Sequence, residues 1–549
     1  MKKVLFSVAL VMASCVAFGQ TKAVKEAKRQ ADAKKFAEAE QLINQALENA
    51  ETKDDANTWN VAGYVQQKIN EEENTKAYLK QPFDTVKMYN STYKMFEFFN
   101  KCDELEQIPN EKGKVKIRYR KANAATMQQN RPNLINGGVL YFNNGNDAEA
   151  YKYFSMYIDS AEYPMLKEAN IAATDSMMPT IAYYTALAAT KMAQEADQNN
   201  NKDAAKASYQ NVLKYADLAS NDKENGKFAL EFKAGAYKAL GDTAQWVATL
   251  QDGVQRFPAH SYFFGNYIDY CSNAGKYAEA VKFADDMIAK NGNSDFYQYV
   301  KGYLYQNMKE YDKAIAAYKQ VQGLGYSLDP SYAKLFTQSG ETSPEIIFAV
   351  RYEGPGMSEG AAFNAHWNTP LEAMNGTIDL ADAYYCKDGK PTTDTKIAEL
   401  NNEGGLDVSK PNPAHFENRD PRLYSTLFVP GMLWNGKGGI DTSASNPYAN
   451  VYGGAAASLS TIYVYKYFDP TDTSNSWDNG QDFYVVRYAE VLLSLAEAMV
   501  QKGGYVYSDV TALVNEVRQR ADVNMPTVEE VEGTSLSKDE LLEVIKHER

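Results

Sequence analysis

A step of 34 residues recurs in the first part of this chain. Gly241 and Gly275 stand 34 positions apart, Trp246, Ala280 and Ala314 keep the same spacing, and so do Leu250, Ala284 and Tyr318. A fixed period of this length marks a supersecondary unit that buries its apolar face by stacking on copies of itself. One compact core for all 549 residues is thereby excluded. From Thr21 to Gln322 the texture is rich in Ala, Lys and Glu, with apolar residues at helical spacing and almost no run that alternates as a strand would. The unit is therefore expected to be a helix, a turn and a helix.

That period resembles the tetratricopeptide repeat. The clearest unit is the last, with Gly302 and Tyr305 in its first helix and Ala314 and Tyr318 in its second, within Tyr311-Asp-Lys-Ala-Ile-Ala-Ala-Tyr318. Small residues there let two helices approach closely, and the ring fills the gap between neighbouring pairs. Pro258 lies 12 residues after Trp246, where the repeat places its closing proline. Gly138, Tyr141, Ala150 and Phe154 repeat the spacing, and Phe36-Ala-Glu-Ala39 with Ala46 resembles the second helix of a first unit. Residues 52–116 and 170–226 are helical in composition but degenerate as repeats, and Gln198 to Lys202 is expected to be an exposed loop. The resemblance implies an α-solenoid whose concave face binds peptides or partner proteins, and it supplies no catalytic residue.

Charge and the first residues narrow the function classes. With 57 Lys and Arg against 71 Asp and Glu, the net charge of −14 argues against nucleic-acid phosphate as the main partner. Lys2 and Lys3 precede the apolar run Val4 to Ala13, and Ala17-Phe18-Gly19 precedes Gln20, which predicts a secretory signal peptide over residues 1–19. A lipoprotein signal with acylation at Cys15 is the competing reading. No later run is long enough for a spanning helix. Cys102, Cys271 and Cys386 are widely separated and are expected to be buried thiols rather than metal ligands or a disulfide framework. Tyrosine is abundant, 40 against 23 Phe and 5 Trp, so many rings carry a polar handle suited to half-exposed grooves.

Near residue 323 the helical texture gives way to Gly, Pro, Ser, Asn and Thr with isolated apolar runs. Glu345 to Arg351 and Ile462 to Phe468 are expected to be short strands or extended loops. Helix is predicted to return at Tyr484 to Gln501 and again at Ser508 to Asp522, and Ser537-Lys-Asp-Glu540 is a capping box opening a third helix. In order along this segment stand Ser343-Pro-Glu-Ile-Ile-Phe348, Asn418-Arg-Asp-Pro-Arg-Leu423, Tyr465-Lys-Tyr467, Phe483-Tyr-Val-Val-Arg487-Tyr-Ala-Glu490 with Ala496-Glu497-Ala498, Val514-Asn-Glu-Val-Arg518, and Leu541 to Arg549. Together they resemble the SusD/RagB outer-membrane nutrient-binding proteins of Bacteroidetes. The expected class is thus mainly α, a tetratricopeptide-type solenoid at residues 20–322 followed by a loop-rich, SusD-like α domain with a few short strands at 323–549. The chain stops in the closing amphipathic helix, so that domain is expected to be truncated, with the two parts joined near residues 320 to 328 by gene fusion or by an assembly error.

The resemblance implies a non-enzymatic protein of the outer membrane that captures a polysaccharide, an oligosaccharide or another nutrient beside a TonB-dependent transporter of the SusC type. The alternative is a periplasmic scaffold in which the array binds a protein partner. No cofactor or metal is expected. Sugars are held by rings stacked on the pyranose face while amides and carboxylates take the hydroxyls, so the loop rings Trp367, Tyr384, Tyr385, Trp434 and Trp477 are the candidate ligand contacts. Trp367 stands beside Asn364, His366 and Asn368, and Trp434 beside Asn435. Arg487, Glu490 and Glu497 are expected to form a structural ion-pair network. Gly356-Met-Ser358-Glu-Gly360 fits a nucleophile elbow but lacks alternating strands and helices around it. Gly431 to Lys437 fits a phosphate loop, but Gly438 replaces the Ser or Thr that would hold magnesium. The acidic loop Asp469 to Asp482, with Asp472, Asp478 and Asn479, lacks the EF-hand spacing and is expected to be solvated.

Overall fold

The computed structural model describes residues 20–109, 112–258, 260–292, 295–354, 360–361, 376–392, 413–429, 432, 462–469 and 478–549. The signal segment 1–19 with Cys15, Ser358 of the elbow motif, Lys437 of the phosphate-loop motif and Asp472 of the acidic loop lie outside these residues. The chain forms two compact units, Met1–Phe264 and Gly265–Arg549.

The first unit is built of helices packed in sequential pairs. Gln20–Asp32 lies on Phe36–Glu48, Ala56–Tyr78 on Thr85–Glu106, Pro132–Asn143 on Asp147–Asp159, Met178–Gln198 on Lys202–Ala219, and Gly226–Ala239 on Thr243–Arg256. The segments that looked degenerate form the longer pairs, of 23 and 22 residues at Ala56–Tyr78 and Thr85–Glu106, too long for a 34-residue unit. Glycine-on-ring contacts set the close approaches. A Cβ at Gly138 would lie 2.3 Å from the Phe154 ring, and one at Gly137 2.6 Å from the Tyr153 ring. Phe154 and Tyr153 are buried in a core with Met95, Phe96, Phe99 and Leu134. Within the exposed stretch 198–202, residues 199–201 form the turn, in which Asn201 caps Lys202–Ala219.

The period is visible in the backbone itself. Helices Thr243–Arg256, Tyr277–Asn291 and Tyr311–Gln322 begin 34 residues apart, as do Ser261–Asn273 and Asp295–Asn307. Each turn before the first three holds a left-handed residue at the same phase, with φ +76° at Gly241, +66° at Gly275 and +60° at Lys309. Glycine adopts that conformation freely, while Lys309 does so against a steric cost of about 1 kcal/mol.

In the second unit, helix Tyr488–Lys502 is the hub. It is buried on nearly every side, with Val491, Leu492, Leu495 and Ala496 at 1% exposure or less, and it packs on Tyr311–Gln322, Tyr507–Arg518 and Lys538–Glu548. Two small antiparallel sheets sit near its N-terminus. Strand β1 (Ile346–Val350) pairs with β4 (Phe483–Arg487), and β2 (Leu427–Phe428) pairs with β3 (Tyr463–Val464). Residues 484–487, expected to be helical, are therefore strand. Period-2 burial explains it: Phe483 and Val485 are 41% and 48% exposed, while Tyr484 and Val486 are 6% and 3%. The second helix ends at Arg518 rather than Asp522. The capping box at Ser537 forms in both halves, the Ser537 hydroxyl accepting from Glu540 N and the Glu540 carboxylate accepting from Ser537 N. Cys102, Cys271 and Cys386 are buried thiols outside any disulfide. Among the described residues no helix is long and apolar enough to cross a membrane.

Candidate functional site

Three short elements meet to form an aromatic groove in the second unit. The one-turn helix Tyr332–Leu335, capped by Ser331, delivers Phe336. Helix Pro421–Thr426, capped by Asp420, delivers Tyr424 and Ser425. The turn at 465–468 follows β3 and is tied down where Tyr465 N and Lys466 N both donate to Thr426 O, at 2.8 and 3.1 Å. Tyr467 sits in this turn with φ +68°, a strained geometry for a bulky residue. Packing holds it there, because its ring lies 5.2 Å from Phe336, 5.1 Å from Phe483 and 5.7 Å from Tyr484. Its hydroxyl also accepts from Tyr484 N at 3.0 Å.

The groove encloses about 350 Å³. Phe336, Tyr467 and Phe468 are buried in its floor, while Tyr424 and Tyr465 are half-buried and show ring surface. Lys334, Thr337, Ser339, Ser425 and Asp469 supply polar groups around these rings. Such a surface offers ring faces, hydroxyls and a carboxylate side by side, which suits a ligand that is itself apolar on one face and hydroxylated at its edges.

Behind the groove lies a buried ion-pair network. Glu345 is wholly buried, accepting from Arg487 Nη1 at 2.5 Å, from Arg520 Nη1 and Nη2 at 2.5 and 3.0 Å, and from Asp329 N at 2.8 Å. Arg422 pairs with Asp420 at 2.6 Å and with Glu548, which also takes Arg518 Nε at 2.9 Å. Arg549 reaches Glu490 at 3.3 Å and Glu497 at 2.8 Å. Arg487, Glu490 and Glu497 are thus all engaged in ion pairs, as expected. Next to this network Arg419, 1% exposed, donates to the carbonyls of His415 and Tyr384 at 3.0 and 3.1 Å, and burial lowers its pKa.

The loop rings singled out in the sequence divide. Tyr384 is half-buried and its hydroxyl bonds to Thr426 Oγ1 at 2.9 Å. Tyr385 lies flat on His547, with ring centroids 3.6 Å apart. Trp367, Trp434 and Trp477 lie outside the described residues. Phe336 and Tyr424 carried no signal in the sequence, whereas Tyr465 appears there only within the Tyr465-Lys-Tyr467 motif. Among the described residues no group of three or more His, Cys, Asp or Glu side chains could hold a metal ion.

His547 gives the second unit a pH dependence. Burial holds its pKa below the ordinary 6.5, and the Arg518 and Arg422 charges act the same way against Glu548 and Asp420. The unfolded chain therefore takes up this proton more readily than the folded one, so the contribution is complete above pH 6.5 and is lost as pH falls from there through the folded value. Unfolding between pH 7 and 5 is expected to show a fall in stability that is smaller in His547→Gln; an equal fall in both proteins would rule this source out.

Residues 344–549 match the family model of the SusD family. The match covers the C-terminal part of the chain, which is similar to the SusD family over those residues. The match begins one residue before Glu345, so the matched segment contains the network carboxylate, Tyr424 and the 465–468 turn, while Tyr332 to Ser339 of the groove precede it. Solved structures of low identity resemble the chain. A SusD-like carbohydrate-binding protein from Bacteroides fragilis is 18% identical, with 64% of this chain and 69% of that chain covered and a TM-score of 0.39. A second SusD-like protein from Bacteroides fragilis is 17% identical over 74% of this chain and 72% of that one, with a TM-score of 0.35. A SusD superfamily protein from Bacteroides vulgatus is 15% identical over 73% and 84%, with a TM-score of 0.34. No curated protein matches the chain.

Proposed function

We propose that the second unit is a non-enzymatic glycan-binding module and that the groove at Phe336, Tyr424 and Tyr465 is its binding surface. The observation that carries this reading is the SusD-family match over residues 344–549. The groove's chemistry supports it: half-buried tyrosine rings can stack on a pyranose face while Thr337, Ser339 and Asp469 take its hydroxyls. Trp367, Trp434, Trp477, Tyr384 and Tyr385 belong to the same proposal as further ring contacts. In this account the chain is exported to the outer membrane, surface-associated, and passes its glycan to a TonB-dependent transporter of the SusC type. Retention of the full chain in gels containing polysaccharides, compared between the wild type and Tyr465→Ala, tests the binding claim. Protease accessibility in intact cells tests the location, since a surface protein is cleaved and a periplasmic one is protected.

A further inference from the structure

Most cations of the buried cluster in the second unit have a carboxylate partner. Arg487 and Arg520 share Glu345, Arg422 and Arg518 share Asp420 and Glu548, and Arg549 takes Glu490 and Glu497. Lys466 stands among them, close enough to Arg487 and Glu345 to feel both charges, yet among the described residues no carboxylate lies within ion-pair distance of it. Its ammonium rests over the Phe336 ring at 4.3 Å and the Tyr332 ring at 5.9 Å, and it shares a hydrogen bond with Tyr332. A partly desolvated charge whose direct contacts are rings and a phenol, with Glu345 already shared by two arginines, is incompletely compensated.

Lys466, Arg487 and Glu490 line an open cavity of about 520 Å³ beside β4, and Glu490 is already paired with Arg549. Phe483, 41% exposed, and Tyr484 border the same space. Exposed ring surface thus adjoins Lys466, the one charged group of this lining without an ion-pair partner among the described residues, in a protein whose net charge is −14. A neutral sugar placed there leaves Lys466 unpaired, whereas an anionic one completes the pairing.

Resting on the glycan reading above, we propose that this cavity takes the anionic substituent of an acidic glycan, a uronate carboxylate or a sulfate ester, with the sugar face on Phe483. The full chain, Lys466→Gln, Lys466→Arg and Phe483→Ala are run in native gels containing polygalacturonate, carrageenan or a neutral glucan. Retention by at least one anionic polymer is expected, weakened at least about tenfold by Lys466→Gln and by Phe483→Ala and largely kept by Lys466→Arg. Polygalacturonate identifies the carboxylate and carrageenan the sulfate ester. Phe483 is 41% exposed but also packs on Tyr467, so thermal unfolding of Phe483→Ala is measured beside its retention, and with an unchanged melting temperature it keeps the comparison decisive if Lys466→Gln does not fold. Retention by the neutral glucan alone, or anionic retention unchanged in these variants, overturns this inference and leaves the glycan reading standing; retention by none of the three overturns both.

Discussion

Replacing Glu345 by Gln is expected to destabilise the second unit by about 3–5 kcal/mol, because it removes one partner of a buried ionic cluster and leaves the others charged. The carboxylate is wholly buried and serves Arg487, Arg520 and Asp329 N together. Gln keeps the volume and one acceptor oxygen but brings two N–H donors towards guanidinium groups that have none to accept them. Arg520 is itself 1% exposed in its side chain, so water cannot take over. Denaturant unfolding of the full chain should show a large drop in the transition of the second unit and little change in that of the first. A double variant, Glu345→Gln with Arg520→Met, should recover part of the loss, since the orphaned charge goes with the arginine. A loss below about 1 kcal/mol for Glu345→Gln would show that the cluster is solvated and does not hold β1 to β4.

The second large effect tests why the repeat needs glycine. A Cβ at Gly302 would lie 2.4 Å from Tyr318 Cε1, inside any permitted contact. Tyr318 cannot give way easily, since it is 1% exposed, its hydroxyl bonds to Gln306 Oε1 at 3.1 Å, and its ring belongs to the core around Leu492 and Leu495. Helix propensity favours Ala over Gly by about 1 kcal/mol, whereas overpacking costs about 1–3 kcal/mol and more where the neighbour is fixed. Gly302→Ala is therefore expected to destabilise by about 2 kcal/mol net. Gly265, in helix Ser261–Asn273, meets nothing within 4 Å, so Gly265→Ala should stabilise by up to about 1 kcal/mol. The same substitution thus changes sign between two helices, and equal unfolding midpoints for the two variants would refute the close-packing account.

Local chemistry made much of the fold legible. The 34-residue step appears as evenly spaced helix starts, and the capping box at Ser537 forms as written. Lys309 shows where such a signal fades: the backbone keeps the left-handed turn of Gly241 and Gly275 after the glycine has gone. At Tyr484 to Arg487 the apolar run of three residues before the arginine is too short to separate helix from strand, and pairing with β1 decided for strand. The groove was less legible, because Phe336, Tyr424 and Tyr465 come from three segments far apart in sequence and meet only through the fold. Glu345 and Arg520 likewise pair across 175 positions. Tyr384 and Tyr385 stood out as loop rings, yet the Tyr384 hydroxyl is held by Thr426 and the Tyr385 ring by His547.

The central claim is that the second unit holds a glycan on the rings of its groove. Tyr465 is half-buried there, its ring 5.5 Å from Phe468 and 6.0 Å from Phe428, so Tyr465→Ala removes stacking surface while the floor remains. The most direct measurement is the retention of the full chain on a panel of polysaccharides, with thermal unfolding of each variant as the check of its fold. The account predicts retention by at least one polymer, weakened about tenfold or more in Tyr465→Ala at an unchanged melting temperature. Retention by no polymer, or retention indifferent to Tyr465, would contradict it.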